Sequence, residues 1–129
     1  MNHEDLSAIA LFDGLSEAEI GACAEHFEEV EVLTGTELTH QDDFGYAFFI
    51  VLHGHVEVVV DHDVVASLGP GDYFGEMALV FDHKRNATVR ASERSRLAKM
   101  MNWDFQELIE KNEILARRVE AVAHERNHE

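Results

Sequence analysis

The spacing of apolar residues along this 129-residue chain changes twice. Ile20, Cys23, Ala24 and Phe27 recur at helical intervals, and Ser16-Glu17-Ala18-Glu19 ahead of them has the spacing of a capping box. Residues 1–27 therefore read as helical, with a break at Asp13-Gly14 and Cys23 on the apolar side. From about Glu28 the period drops to two. Val30 and Val32 alternate with Glu29 and Glu31, as in a half-buried strand with a solvated acidic edge. ELTH follows at 37–40. YAFFIVL at 46–52 is apolar enough to face a core on both sides, with Phe48 and Phe49 on opposite faces. HVEVVV and VVASL flank a tight turn at Asp61-His62-Asp63, and Gly69-Pro70-Gly71-Asp72 is a further strong turn signal. TVRA at 88–91 and SRLAKMM at 95–101 complete the strands. The helical period then returns. Asn102 is the expected cap of a helix carrying Trp103, Phe105 and Leu108, and a last helix carries Ile114, Leu115, Arg118, Val119 and Val122. Short strands separated by turns favour a small antiparallel barrel or sandwich over a parallel sheet, which needs helical crossovers.

Composition narrows the class. An apolar fraction of 46% indicates a folded chain, and the length suits one domain. A single cysteine excludes an internal disulfide and fits a reducing compartment. No basic, apolar leader and no apolar 20-mer is present, so a cytoplasmic protein is expected. With 26 acidic against ten basic residues, the formal charge of −16 argues against nucleic acid or an anionic membrane as partner.

One stretch, GDYFGEMALVFDHKRNATVRA at 71–91, carries candidate chemistry. Gly71 and Gly75 allow close approach of backbone, and EMALVF has room for one or two helical turns whose first amides suit an anion. Arg85 offers a fork of donors that fits two phosphate oxygens. Glu76 repels phosphate and is suited instead to a pair of hydroxyls, as on a ribose. A phosphorylated sugar fits both.

Phe74-Gly75-Glu76-Met77-Ala78-Leu79, followed by Arg85, Ala87, Thr88 and Val89, resembles the phosphate-binding cassette of the cyclic-nucleotide-binding domain family. That family includes protein kinase A regulatory subunits, catabolite activator proteins and cyclic-nucleotide-gated channels. LFDGLSEAEI, FFIVLHGHVEV and LGPGDYFGE extend the likeness over roughly residues 9–122. The resemblance implies a stand-alone, bacterial-type, non-enzymatic receptor for cAMP or cGMP. In it Arg85 meets the cyclic phosphate and Glu76 the ribose 2′-hydroxyl, while amides around Gly75, Met77, Ala78 and Ala87 complete the cradle. The C-terminal helix then serves as lid and output, with Leu115, Val119 and Arg118 over the base. No further cofactor and no metal are expected. Two positions depart from the family pattern. Asn86 stands where alanine accompanies cAMP and serine or threonine often accompanies guanine, and Lys84 replaces a common proline. Nucleotide preference is therefore open.

Pattern and resemblance together give a mainly β fold with flanking helices. It is an eight-stranded antiparallel β-roll or jelly-roll barrel with an N-terminal helix, a short cassette helix and two C-terminal helices. The expected organisation is one domain over 1–129, with N-terminal helices about 3–27, β-roll about 28–101 and C-terminal helices about 102–126. Its partners are the nucleotide, an unidentified effector protein or domain, and a twin subunit paired through the C-terminal helix. Two alternatives stand beside this reading. One is a module of the same fold that does not bind nucleotide. The other is a cupin-like metal enzyme using the H-x-H pair His53 and His55, although Glu57 follows too closely for the cupin pattern.

Overall fold

The computed structural model describes residues 3–41, 47–76 and 87–127. The N-terminal region is not one helix but three short pieces: α1 (His3–Ser7), a 3-10 turn (Ala10–Phe12) and α2 (Glu17–Glu25). Ser16 caps α2 as its sequence requires. Its hydroxyl accepts from the Glu19 N–H, and the Glu19 carboxylate accepts from the Ser16 N–H.

Among the described residues eight strands follow: β1 (Glu28–Val32), β2 (Glu37–Thr39), β3 (Ala47–His53), β4 (Val56–Val60), β5 (Asp63–Leu68), β6 (Tyr73–Phe74), β7 (Thr88–Ala91) and β8 (Ser95–Met101). They pair antiparallel, but the expected closed jelly-roll barrel is not formed. Two separate four-stranded sheets run β1-β8-β3-β6 and β2-β7-β4-β5. Among the described residues no ladder joins one sheet to the other. The physical reason lies in the edges. β6 is two residues long, β2 three, and β1 carries Glu28, Glu29 and Glu31, so these edges are too short or too charged to zip together. The sheets meet through side chains instead. Ala47, Phe49, Val51, Val56, Phe74, Val89 and Leu97 form an apolar layer between them.

β3 is buried on both faces, as its composition implies. Phe48 and Ile50 point away from the second sheet into another core, shared with Leu6, Phe12, Ile20, Cys23, Phe27 and Phe105. Phe48 stacks on Phe105 at 4.4 Å between ring centres, and Phe49 stacks on Phe74 at 5.0 Å. The molecule is thus three layers: helices, first sheet, second sheet. Gly54, with φ +94°, turns β3 into β4, and a Cβ there would lie 2.3 Å from the Ser95 hydroxyl.

Two helices close the chain, α3 (Asn102–Lys111) and α4 (Glu113–Asn127). Asn102 is not the cap of α3. Met101 occupies that position with extended backbone and no side-chain cap, because β8 runs straight into the helix. Of the two aromatic residues that α3 carries, Phe105 is buried and Trp103 is exposed. The effective cap lies further on. Asn112 Oδ1 accepts from the Leu115 N–H at 3.1 Å and so starts α4.

Candidate functional site

The approach to the 71–91 stretch is held tightly. Gly71, at φ +91°, donates its N–H to the Val51 carbonyl at 2.8 Å, and Val51 donates to Asp72 at 2.8 Å. The Asp72 carboxylate accepts from the Gly69 N–H at 2.9 Å, closing the turn on itself. β6 is then pinned on both faces, Phe74 by Phe49 and Tyr73 by Phe48. This two-residue strand was not expected from sequence, being too short to show a period. Its role is to deliver the next two residues. Gly75 takes φ +96°, a conformation natural to glycine, and turns the chain so that the Glu76 side chain is fully buried. A buried carboxylate in a chain with 26 acidic residues is an exception that needs a reason.

The cassette helix expected within 71–91, with Met77, Ala78, Arg85 and Asn86, lies outside the described residues. The chain is described again from Ala87, which is buried at the start of β7. There it meets two residues that the sequence reading did not single out. The buried Thr39 hydroxyl donates to the Ala87 carbonyl at 3.2 Å and accepts from the Val89 N–H at 3.1 Å. Gln41 donates its N–H to the Thr88 hydroxyl at 2.9 Å. Its side-chain amide reaches the hairpin between β4 and β5, donating to Asp61 Oδ1 and accepting from the Asp61 N–H, both at 2.9 Å. No sequence signal links residues 48 positions apart, so only the fold discloses them.

The helical residues expected over the base have partners among the N-terminal elements. Leu115 and Val119 are buried in the core shared with α1, the 3-10 turn and α2. Arg118 Nη1 donates to the carbonyls of Leu11, within the 3-10 turn, at 2.9 Å and of Asp13, its C-cap. His53 and His55 flank Gly54 on the surface. His55 Nδ1 lies 3.5 Å from a Glu93 carboxylate oxygen, and both side chains are half exposed. Among the described residues no three His, Cys, Asp or Glu side chains converge as a metal site. None of the described helices is long and apolar enough to cross a membrane.

Comparison with known proteins agrees with this geometry. The family profile for the cyclic nucleotide-binding domain matches residues 29–112. A cAMP-dependent protein kinase regulatory subunit of Schizosaccharomyces pombe is 33% identical over 81% of this chain and 26% of its own length. The cyclic AMP receptor protein of Thermus thermophilus is 30% identical over 87% of this chain and 54% of its own length. The crystal structure of the catabolite activator protein of Thermus thermophilus superposes with a TM-score of 0.82 at 29% identity, covering 92% of this chain and 58% of that one. The chain thus spans about half or less of the length of these relatives. With the match running from β1 to Asn112, the chain belongs to the cyclic nucleotide-binding domain family.

Proposed function

We propose that this protein is a non-enzymatic receptor or regulatory module for a cyclic nucleotide, cAMP or cGMP. The observation that carries the reading is Glu76, a fully buried carboxylate set by the left-handed Gly75 at the mouth of the 77–86 segment. A ribose 2′-hydroxyl donating to that carboxylate gives its burial a use. Arg85, nine residues on, supplies the cation for the cyclic phosphate, and Asn86 bears on the choice of base. Amides of Gly75, Met77, Ala78 and Ala87 complete the anion cradle. Relatives named for cAMP, from yeast to Thermus, support the ligand class.

α4 is the proposed output element. With Leu115 and Val119 docked on the N-terminal helices, the arrangement described corresponds to a lid turned away from the base. Closure would transfer Leu115, Val119 and Arg118 from those helices to the nucleotide, and the ligand would favour that state by its differential affinity. The signal passes to an effector protein or domain in the cytoplasm, with pairing of two copies through α4 as a second output.

Calorimetric titration with cAMP and cGMP in parallel tests this reading. Saturable binding of one nucleotide is expected, with Arg85→Ala weakening it at least a hundredfold, about 3 kcal/mol. Absence of binding to well-folded protein would overturn it.

A further inference from the structure

The described residues on the two sides of 77–86 are held by different sets of contacts. At the Glu76 end the anchors are main-chain bonds and stacked rings around β6. At the Ala87 end a main-chain ladder to β4 holds one side of β7, and on the side facing β2 side chains take over. The β2–β7 ladder slips there: Glu37 pairs with Arg90 but Thr39 pairs with Val89, so one residue of β2 is extra. A bulge removes regular main-chain partners, and the Thr39 hydroxyl takes their place. It both donates and accepts, to Ala87 and from Val89, while the Thr88 hydroxyl accepts from Gln41. Thr39 is buried, so no solvent can substitute if its hydroxyl is lost.

We propose that Thr39 and Gln41 are positioning residues of the ligand site, setting where β7 begins and hence where Ala87 stands relative to Glu76. The inference rests on the cyclic-nucleotide reading of that site. It adds Thr39, at the end of β2, and Gln41, just beyond it, neither of which contacts the ligand in that reading. Gln41 carries the constraint onward. Its paired bonds to Asp61 fasten the same point to the hairpin tip, where Asp61 and His62 hold φ of 50° and 74°. The exit of the segment is thereby tied to two different strand connections, one on each side of β7 in the second sheet. A shift of about 1 Å in such a frame is enough to lower affinity or rate by orders of magnitude.

The test compares wild type with Thr39→Val, Thr39→Ser and Gln41→Ala. Affinity for cAMP and cGMP is measured by calorimetry, well below each variant's melting temperature. Thr39→Val keeps the shape and deletes the hydroxyl, so affinity is expected to fall at least tenfold. Thr39→Ser restores the hydroxyl and should return affinity to within about threefold of wild type. Gln41→Ala is half-buried and safe for folding, and it should weaken binding several-fold while Asp61 amide exchange speeds up. A role confined to stability would lower the melting temperature of Thr39→Val but leave all affinities equal, which overturns the proposal. Should Thr39→Val not fold, Gln41→Ala and Thr39→Ser decide alone, unchanged affinity in Gln41→Ala counting against it. Wild-type protein that binds neither nucleotide fails the ligand reading itself, and the positioning role with it.

Discussion

Glu19 and Asn112 are 93 residues apart and joined by a hydrogen bond of 2.6 Å, the Asn112 amide donating to Glu19 Oε2. Each is also a helix cap. Glu19 returns its other oxygen to the Ser16 N–H, and Asn112 Oδ1 accepts from the Leu115 N–H. One pair of side chains therefore starts α2 and α4 and fixes them to each other.

Asn112→Ala removes the cap of α4 and the contact with α2 together. A lost cap of this kind costs about 1–2 kcal/mol. The expected result in urea denaturation is a lower midpoint with unchanged slope. Because α4 starts from this pair, the variant should also loosen its docking. If α4 is the lid, hydrogen exchange in residues 113–123 should accelerate more than in β3.

The same pair makes a pH prediction. Hydrogen bonds from the Ser16 backbone and side chain, and then from Asn112, hold the Glu19 carboxyl below its ordinary value of 4.5 against the opposing effect of desolvation. A depressed folded-state value means that the ionised form stabilises the fold. Its contribution is complete above 4.5 and is lost as pH falls through the lower folded value. The difference in melting temperature between wild type and Glu19→Gln should therefore be constant at neutral pH and shrink on acidification. A difference that grows towards low pH would contradict the assignment.

Gly54→Ala should be among the most damaging single substitutions. The left-handed φ of +94° is costly for alanine, and its Cβ would lie 2.3 Å from Ser95 Oγ and 2.8 Å from the Arg94 carbonyl. Backbone strain and overpacking together come to about 3 kcal/mol or more. Thermal melting checks this, with Gly35→Ala as a comparison. That glycine is also left-handed but has open space around it, so it should show the strain alone.

His62→Gly should act in the opposite direction. Asp61 and His62 both hold positive φ in a two-residue hairpin turn, the geometry that favours Asn-Gly. Relief of strain exceeds the extra entropy of the unfolded glycine, so a gain of about 0.5–1 kcal/mol is expected. Asp61 should be left in place, since Gln41 holds it.

Periodicity reveals what neighbours in sequence decide and is silent on what distant partners decide. The Ser16–Glu19 box, the double burial of β3 and the acidic edge of β1 were legible because each depends on residues a few positions apart. Closure of the sheets was not, because it depends on which edges are long and neutral enough to pair. Asn102 and Asn112 both look like caps, and only the run of β8 into α3 distinguishes them. An apolar stripe such as Leu115 and Val119 has the same spacing whether it meets a core or a ligand. Of the two residues that the motif singled out, Glu76 is described and buried, while Thr39 and Gln41, which hold the start of β7, carry no motif at all.

The double burial of β3 has a thermodynamic consequence. Alternate residues of one strand belong to two different hydrophobic layers, so neither layer can open without removing the wall of the other. The chain should melt as one cooperative unit, with calorimetric and van't Hoff enthalpies equal. A ligand held beside β6, which among the described residues pairs only with β3, would then raise the stability of the distant helical layer as much as that of its own surroundings. Occupancy at one end of the molecule becomes measurable at the other without any dedicated path between them.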